Sequence, residues 1–255
     1  HVLGLDQSLP RQYLSFISNA VHGNLGVSIR SQQSVYTDIM SQAGSTVELA
    51  IAATVLALLL GVTTGVIAAT SRRWVDLGVM TTSLAGLSMP TFWSGILLIL
   101  LFGLTWHLLP VVGAGGFASL VLPAITLALP AGAVLARITR GSVLEVLRQD
   151  YVRTARAKGI HPARVVVRHV LPNALIPIVT IVGLQIGGLL SGTVVVETLF
   201  ARPGIGRLAV QAIEERDFPV VQGVVLLAGV VFLVVNLATD LLYPMLDPRI
   251  RQARS

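Results

Sequence analysis

The sequence contains no cysteine, and only one of its 18 basic residues, Lys158, is a lysine. The missing cysteine removes disulfides, thiolate metal sites and cysteine nucleophiles from consideration. Charge is scarce as well. Asp, Glu, Lys and Arg make up 12% of the 255 residues, about half the share found in an ordinary soluble domain. No Gly-x-x-x-x-Gly-Lys-Ser/Thr loop is present, and the lone lysine stands in the wrong context for one. Neither His-Glu-x-x-His nor Gly-x-Ser-x-Gly occurs. His1, His22, His107, His161 and His169 include no pair at the four-residue spacing of a helical metal site. The reading is therefore of a chain without catalytic, cofactor-binding or metal-ligating residues of its own.

Hydrophobic residues are plentiful, at 54%, and they come in blocks. Charge-free stretches lie between Glu48 and Arg72, Asp76 and Arg137, Arg168 and Glu197, and Asp217 and Asp240, the second long enough for two crossings. A bilayer-spanning helix needs about 20 mainly apolar residues, whereas soluble helices of that length keep a polar face. The expectation is an all-α polytopic membrane protein with about five spans, near 45–70, 78–106, 118–140, 170–196 and 220–243. Pro90, Pro123, Pro130, Pro172 and Pro177 are expected to interrupt or kink them. Gly183, Gly187, Gly188, Ser191 and Gly192 suit close helix packing.

Charge location sets the expected orientation. The turn at 71–76 holds Arg72 and Arg73. The region 137–169 holds Arg137, Arg140, Arg148, Arg153, Arg156, Lys158, Arg164 and Arg168, and the tail adds Arg249, Arg251 and Arg254. Thirteen of the 18 basic residues thus fall on one side, which the positive-inside rule assigns to the cytoplasm. This placement, and not nucleic acid, accounts for the net charge of +6. The expected organisation is an extracytoplasmic segment over 1–44, a membrane domain over 45–246 with a cytoplasmic loop at 141–168 and an outer loop at 197–219, and a cytoplasmic tail over 247–255. An external segment ahead of the first crossing implies one further N-terminal span before His1.

The densest information lies in Asp150-Tyr151-Val152-Arg153-Thr154-Ala155-Arg156-Ala157-Lys158-Gly159-Ile160, followed by His161-Pro162 and Arg168-His169-Val170-Leu171-Pro172. Leu144, Leu147, Tyr151 and Ala155 recur at three- and four-residue spacing, which predicts one helix over 144–158. Gly159 can end that helix in the left-handed conformation, and Pro162 can start another. The product is a helix–elbow–helix set between two spans, with Ala155 expected to face a partner.

This segment resembles the coupling loop of bacterial ATP-driven importer permeases, whose pattern is Glu-Ala-Ala, three residues, Gly, nine residues, then Ile-x-Leu-Pro. Gly159, Leu171 and Pro172 match at the right spacing, and Ala155 matches the second alanine. Arg153, Thr154 and His169 depart from it in the manner of the peptide/nickel family, first-permease branch. Leu5-Asp6-Gln7, Gly23-Asn24-Leu25-Gly26, Val196-Glu197-Thr198-Leu199-Phe200, Pro203-Gly204-Ile205-Gly206, Arg216-Asp217-Phe218-Pro219 and Asp247-Pro248-Arg249 extend the resemblance.

The resemblance implies the transmembrane domain of a type I importer in the plasma (inner) membrane of a bacterium, with its C-terminus cytoplasmic. It implies a translocation subunit that is not an enzyme. Its expected partners are a second homologous permease, two ATPase subunits or a two-headed pair carrying ATP and Mg, an extracytoplasmic binding protein and the bilayer. Di- or oligopeptides are the expected cargo, with glutathione or a nickel chelate as alternatives. Asp150, Tyr151, Arg153, Ala155, Arg156, Lys158, Gly159, Leu171 and Pro172 would couple to the ATPases. Gln185, Ser191, Thr193 and Asn236 would line the path or bond helix to helix. Glu197, Pro203, Gly204, Gly206, Arg216 and Asp217 would form an outer docking loop, with Glu197 alternatively orienting that loop through Arg202 or Arg207. A secondary transporter or channel would require mid-span ion-coupling carboxylates, and none of the five stretches has one. An intramembrane enzyme would need one of the two motifs named above or a mid-span aspartate pair, and the sequence has neither.

Overall fold

A computed structural model describes residues 8–113 and 116–246, and within them all side chains but those at 176, 186, 190, 191 and 240–246. The expectations on Leu5, Asp6, Gln7 and the tail from Asp247 onward, and on the side chain of Ser191, lie outside the described residues. Those residues form ten α-helices and no strand: α1 (Leu9–Val21), α2 (Val35–Thr70), α3 (Arg73–Ser88), α4 (Thr91–Leu98), α5 (Ala118–Leu147), α6 (Asp150–Ala157), α7 (Pro162–Val165), α8 (Leu171–Leu199), α9 (Ile205–Glu214) and α10 (Phe218–Leu246). In a bilayer every backbone polar group needs an internal partner, which helices supply segment by segment.

Among the described residues, three helices are long and apolar enough to cross a membrane, Val35–Thr70, Ala118–Leu147 and Phe218–Thr239. Two bent pairs bring the number of crossings to as many as five. The expected second span is not one helix: it turns by 105° between Ser88 and Thr91. Pro90 forces this break by holding Met89 in the extended region, with ψ at 127°. Asp76 at the start of α3 pairs with Arg140 near one end of α5, while Gly95 of α4 packs against Leu199 and Phe200 at the far end of α8. The bent pair thus runs from one end of the bundle to the other. The expected fourth span bends by 51° between Leu175 and Pro177. Pro123 and Pro130, by contrast, lie inside an unbroken α5.

The central contact is α2 against α5. The buried positions of α2 are Val35, Ile39, Thr46, Leu49, Ala53, Ala57, Gly61, Gly65 and Ala68, a stripe at helical spacing that becomes small along its second half. A Cβ added at Gly61 would stand 2.5 Å from Leu135 Cβ and 2.8 Å from the Gly132 carbonyl. At Gly65 it would stand 2.6 Å from both the Ala136 carbonyl and Thr139 Cβ. The two backbones touch, an arrangement that small residues permit in membranes. The predicted glycine packing on α8 is also present: Gly183 meets Thr239 and Gly187 meets Phe232, both of α10, although a Cβ on Gly188 meets nothing.

Both rods outrun the central contact. α2 begins at Val35, ten residues before the expected start at 45, because Val35 and Ile39 are covered by Ala212, Val220 and Val224 of α9 and α10. At the opposite end α5 continues to Leu147, where Val143 joins Val152, Ala155, Val165, Val170 and Ala174 in a separate apolar cluster. The segment before α2, read as mixed and polar, contains α1, which has no buried residue.

The α2–α5 contact yields a direct test. Gly65→Leu should lower stability by about 1–3 kcal/mol or more through overpacking. Gly141→Leu on the same α5, where a Cβ meets nothing within 4 Å, should change it little. Thermal unfolding of the two purified variants in detergent measures the difference, and equal melting temperatures would contradict the packing described.

Candidate functional site

Two polar constructions sit at opposite ends of the α2–α5 pair. The first is the elbow. The sequence predicts one helix over 144–158, but the structure divides it: α5 stops at Leu147, and α6 starts at Asp150 after Gln149 takes an extended conformation. Arg148 N–H donates to Glu145 O at 3.2 Å and Gln149 N–H to Val146 O at 3.1 Å, closing α5 in a tight turn. Leu144 and Leu147 therefore belong to α5, and Tyr151 does not share their face; it is 45% exposed.

The inward face of α6 consists of Val152 and Ala155. Ala155 is 6% exposed and packs against this chain's own cluster, which corrects the expectation that it faces a partner. α6 ends in a Schellman motif. Gly159, at φ +76°, donates to Arg156 O at 2.9 Å, and Ile160 N–H reaches back to Ala155 O at 3.3 Å. Pro162 then opens α7. A Cβ at Gly159 would meet nothing within 4 Å, so its constraint is conformational and not steric. Asp150, Tyr151, Arg153, Arg156, Lys158 and Gly159 are all exposed. The one ion pair among them, Arg153 with Asp150 at 3.6 Å, is open to solvent and holds little energy. Leu171 is half-buried and Pro172 exposed at the start of α8.

The second construction is a clamp at the other end. Glu197, fully buried near the end of α8, accepts hydrogen bonds from Thr46 Oγ1 at 2.6 Å, Gly206 N–H at 2.8 Å and Arg207 N–H at 3.2 Å. Thr46 Oγ1 in turn accepts from Ile205 N–H at 2.9 Å. Arg202, 2% exposed, donates to Glu48 of α2. One carboxylate thereby satisfies the free amides at the start of α9 and ties α8, α9 and α2 together. Gly204 and Gly206 are buried against Glu197, and a Cβ on Gly206 would stand 2.5 Å from Val194 Cα. Glu197, Gly204 and Gly206 therefore do not belong to an exposed docking loop. The alternative reading, a carboxylate that orients the loop, describes Glu197, with backbone amides doing most of the work expected of arginine side chains.

Asp217 is also internal, at 3% exposure. It accepts from Ser28 Oγ at 2.5 Å and from the amides of Ile29 and Arg30 at 3.2 Å. Arg30 adds an exposed pair with Glu215 at 3.3 Å. Burial opposes the charge on Asp217, but hydrogen bonds from Ser28, Ile29, Arg30 and Val220 outweigh it and hold the carboxyl below its ordinary value. Of the expected docking residues only Pro203 and Arg216 are exposed, the latter at φ +57°.

Among the expected path residues, Gln185 donates from Nε2 to Ala131 O of α5 at 3.4 Å, which is helix-to-helix bonding. Thr193 is 1% exposed and Asn236 half-buried. Sequence reasoning missed Thr46, Glu48 and Ser28, and the paired Asp76 and Arg140, whose guanidinium Nη2 meets Asp76 Oδ2 at 2.5 Å. Their partners stand 64 to 189 residues away, so only the placement of a polar residue at a span's edge hinted at them.

Asp217→Asn should free the segment at 27–34, because an amide loses charge-assisted bonds worth about 1.5–3 kcal/mol. Trypsin should then cut at Arg30 about tenfold faster or more. In the unmutated chain the depressed carboxyl stabilises fully above the ordinary aspartate range, and that contribution fades as pH falls through its lowered value. A cleavage rate at Arg30 indifferent to the substitution would refute the role given to Asp217.

Comparison with known proteins agrees with this architecture. Residues 60–252 match the family described as "Binding-protein-dependent transport system inner membrane component". The chain is 45% identical to the di/tripeptide transport system permease protein DppB of Pseudomonas aeruginosa, covering 100% of this chain and 84% of that protein. It is 46% identical to the glutathione transport system permease protein GsiC of Escherichia coli K12, covering 98% and 82%. In fold it matches the MetNI methionine ABC transporter in inward-facing form, with a TM-score of 0.70 at 18% identity over 82% of this chain and 96% of that one. An amino acid ABC transporter crystallised with histidines gives a TM-score of 0.63 at 16% identity over 90% and 98%. With its apolar crossings, its elbow between two of them and a family match over most of its length, the chain belongs to the binding-protein-dependent transport system inner membrane components, as a multi-pass permease.

Proposed function

We propose that the chain forms half of the translocation path for short peptides in an ATP-driven importer. A second permease completes the path, and two ATPase subunits that carry ATP and Mg seat on the elbow. The observation that carries the reading is the elbow itself: a turn closed at Gly159, anchored inward by Val152 and Ala155 and exposed outward at Arg153, Arg156 and Lys158. A surface so constructed is suited to transmit force from a partner, since its anchor cluster reaches α5, α8 and, through Val66 and Ala69, α2. Closure of the ATPases would favour one of two arrangements of the bundle, each open to one side. The elbow faces the cytoplasm under the positive-inside rule, and the clamp faces outward, where a binding protein delivers cargo. The names of the relatives, one for di- and tripeptides and one for glutathione, share a chemistry, the short peptide with free charged ends.

Gly159 supplies the test. Gly159→Val must adopt a left-handed conformation at a cost of about 1 kcal/mol or more, whereas Gly159→Asn tolerates it. The valine variant should lose retention of the ATPases and uptake of a labelled dipeptide, and the asparagine variant should keep both. Equal retention and uptake in the two would remove the elbow from the coupling role. Orientation is checked separately, since the chain has no cysteine of its own. An impermeant thiol reagent added to whole cells should label Arg30→Cys and leave Arg156→Cys unmodified, and the reverse pattern would overturn the topology.

A further inference from the structure

Beside the elbow lie two open grooves that share a wall. One, of about 510 Å³, is lined by Lys158, Gly159, Ile160, His161, Arg164, Arg168 and His169. The other, of about 700 Å³, is lined by Ala163, Arg164, Val167, Arg168 and Pro172. Arg164 and Arg168, one helical turn apart, stand in both. On one side of them the lining is cationic and can donate hydrogen bonds. On the other it is apolar, with Val167 65% exposed. Among the described residues no carboxylate pairs with Lys158, Arg164 or Arg168.

A cationic pocket joined through two arginines to an apolar groove matches an amphiphile with an anionic head and a hydrocarbon tail. The location agrees, because these residues lead directly into α8, whose bent pair is long and apolar enough to be a crossing. A free anion would use the first groove and leave the second bare. We infer that an anionic phospholipid of the leaflet next to the elbow seats its phosphate on Arg164 and Arg168 and lays its acyl chains along Val167 and Pro172. Guanidinium groups suit this role because they grip phosphate oxygens two at a time, and basic pockets at the ends of spans hold anionic headgroups. The assignment of that leaflet to the cytoplasm rests on the proposed topology; the binding itself does not.

The intact complex, purified with its partner subunits, is reconstituted in nanodiscs of phosphatidylglycerol and phosphatidylcholine in equal amounts, and the lipid that stays bound after release into detergent is measured by native mass spectrometry. Phosphatidylglycerol should be enriched on the unmutated complex, and Arg164→Gln/Arg168→Gln should reduce that enrichment about fivefold for each arginine removed. Arg164→Lys/Arg168→Lys should keep most of it, which separates lost charge from lost folding. Enrichment unchanged in the glutamine variant would overturn the proposal. So would displacement of the bound lipid by inorganic phosphate alone, which would make the site one for a free anion. Loss of the ATPase subunits from the glutamine variant with lipid retention intact would assign the arginines to a protein interface instead. Because the nanodisc is symmetric, these results stand whichever way the chain faces; labelling of Lys158→Cys in whole cells reports the leaflet, and reaction from outside would refute the topology without touching the lipid site.

Discussion

Everything else in this permease depends on how closely α2 and α5 approach. Gly61 and Gly65 meet the α5 backbone with no room for a methyl group. In a bilayer, helices gain little from hiding apolar surface from one another, since the lipid is equally apolar. Van der Waals contact at short range is what remains, and small side chains provide it. The pair then serves as a common spine. The clamp hangs from the end of α2 that carries Thr46 and Glu48, and the elbow hangs from the end of α5 that carries Val143.

The two ends are built by different physics. At the clamp, a buried carboxylate accepts directional bonds from backbone amides and a buried guanidinium donates to Glu48, and removal of Glu197 would leave the amides of Gly206 and Arg207 unpaired. At the elbow, apolar packing fixes the inner face while the outer face stays charged and unengaged. A buried polar network fixes one geometry. An exposed, rigid, cationic turn leaves its bonding capacity for a partner. The contrast fits a subunit that is braced at one end and acted on at the other.

Much of this was legible in the sequence. Charge-free blocks announced the helices, Gly159 and Pro162 announced the elbow, and the spacing from Gly159 to Leu171-Pro172 announced the family. What failed did so for specific reasons. The 144–158 periodicity ran across a turn at Arg148 and Gln149, because apolar residues on two successive helices can mimic one stripe. Pro90 broke its helix pair while Pro123 and Pro130 did not, since the effect of a proline depends on whether neighbouring helices hold the chain on both sides. Glu197 and Asp217 read as exposed because loops usually are; their partners, Thr46 and Ser28, lie more than 150 residues earlier and carry no pattern. Ala155 read as a contact for another protein because a small residue in a charged segment looks open, whereas here its smallness serves the chain's own cluster.

The central claim is that α2 and α5 act as one rigid body linking the clamp to the elbow. Spin labels at positions 36 and 153, introduced into the cysteine-free chain of the assembled importer, span the spine from end to end, a distance of about 50 Å given the length of α2. Double electron–electron resonance with and without ATP reports that distance directly. The account predicts one narrow distribution that ATP leaves in place; a shift or broadening of about 5 Å, the rise of one helical turn, would mean that the spine flexes and that the two ends are not joined as described.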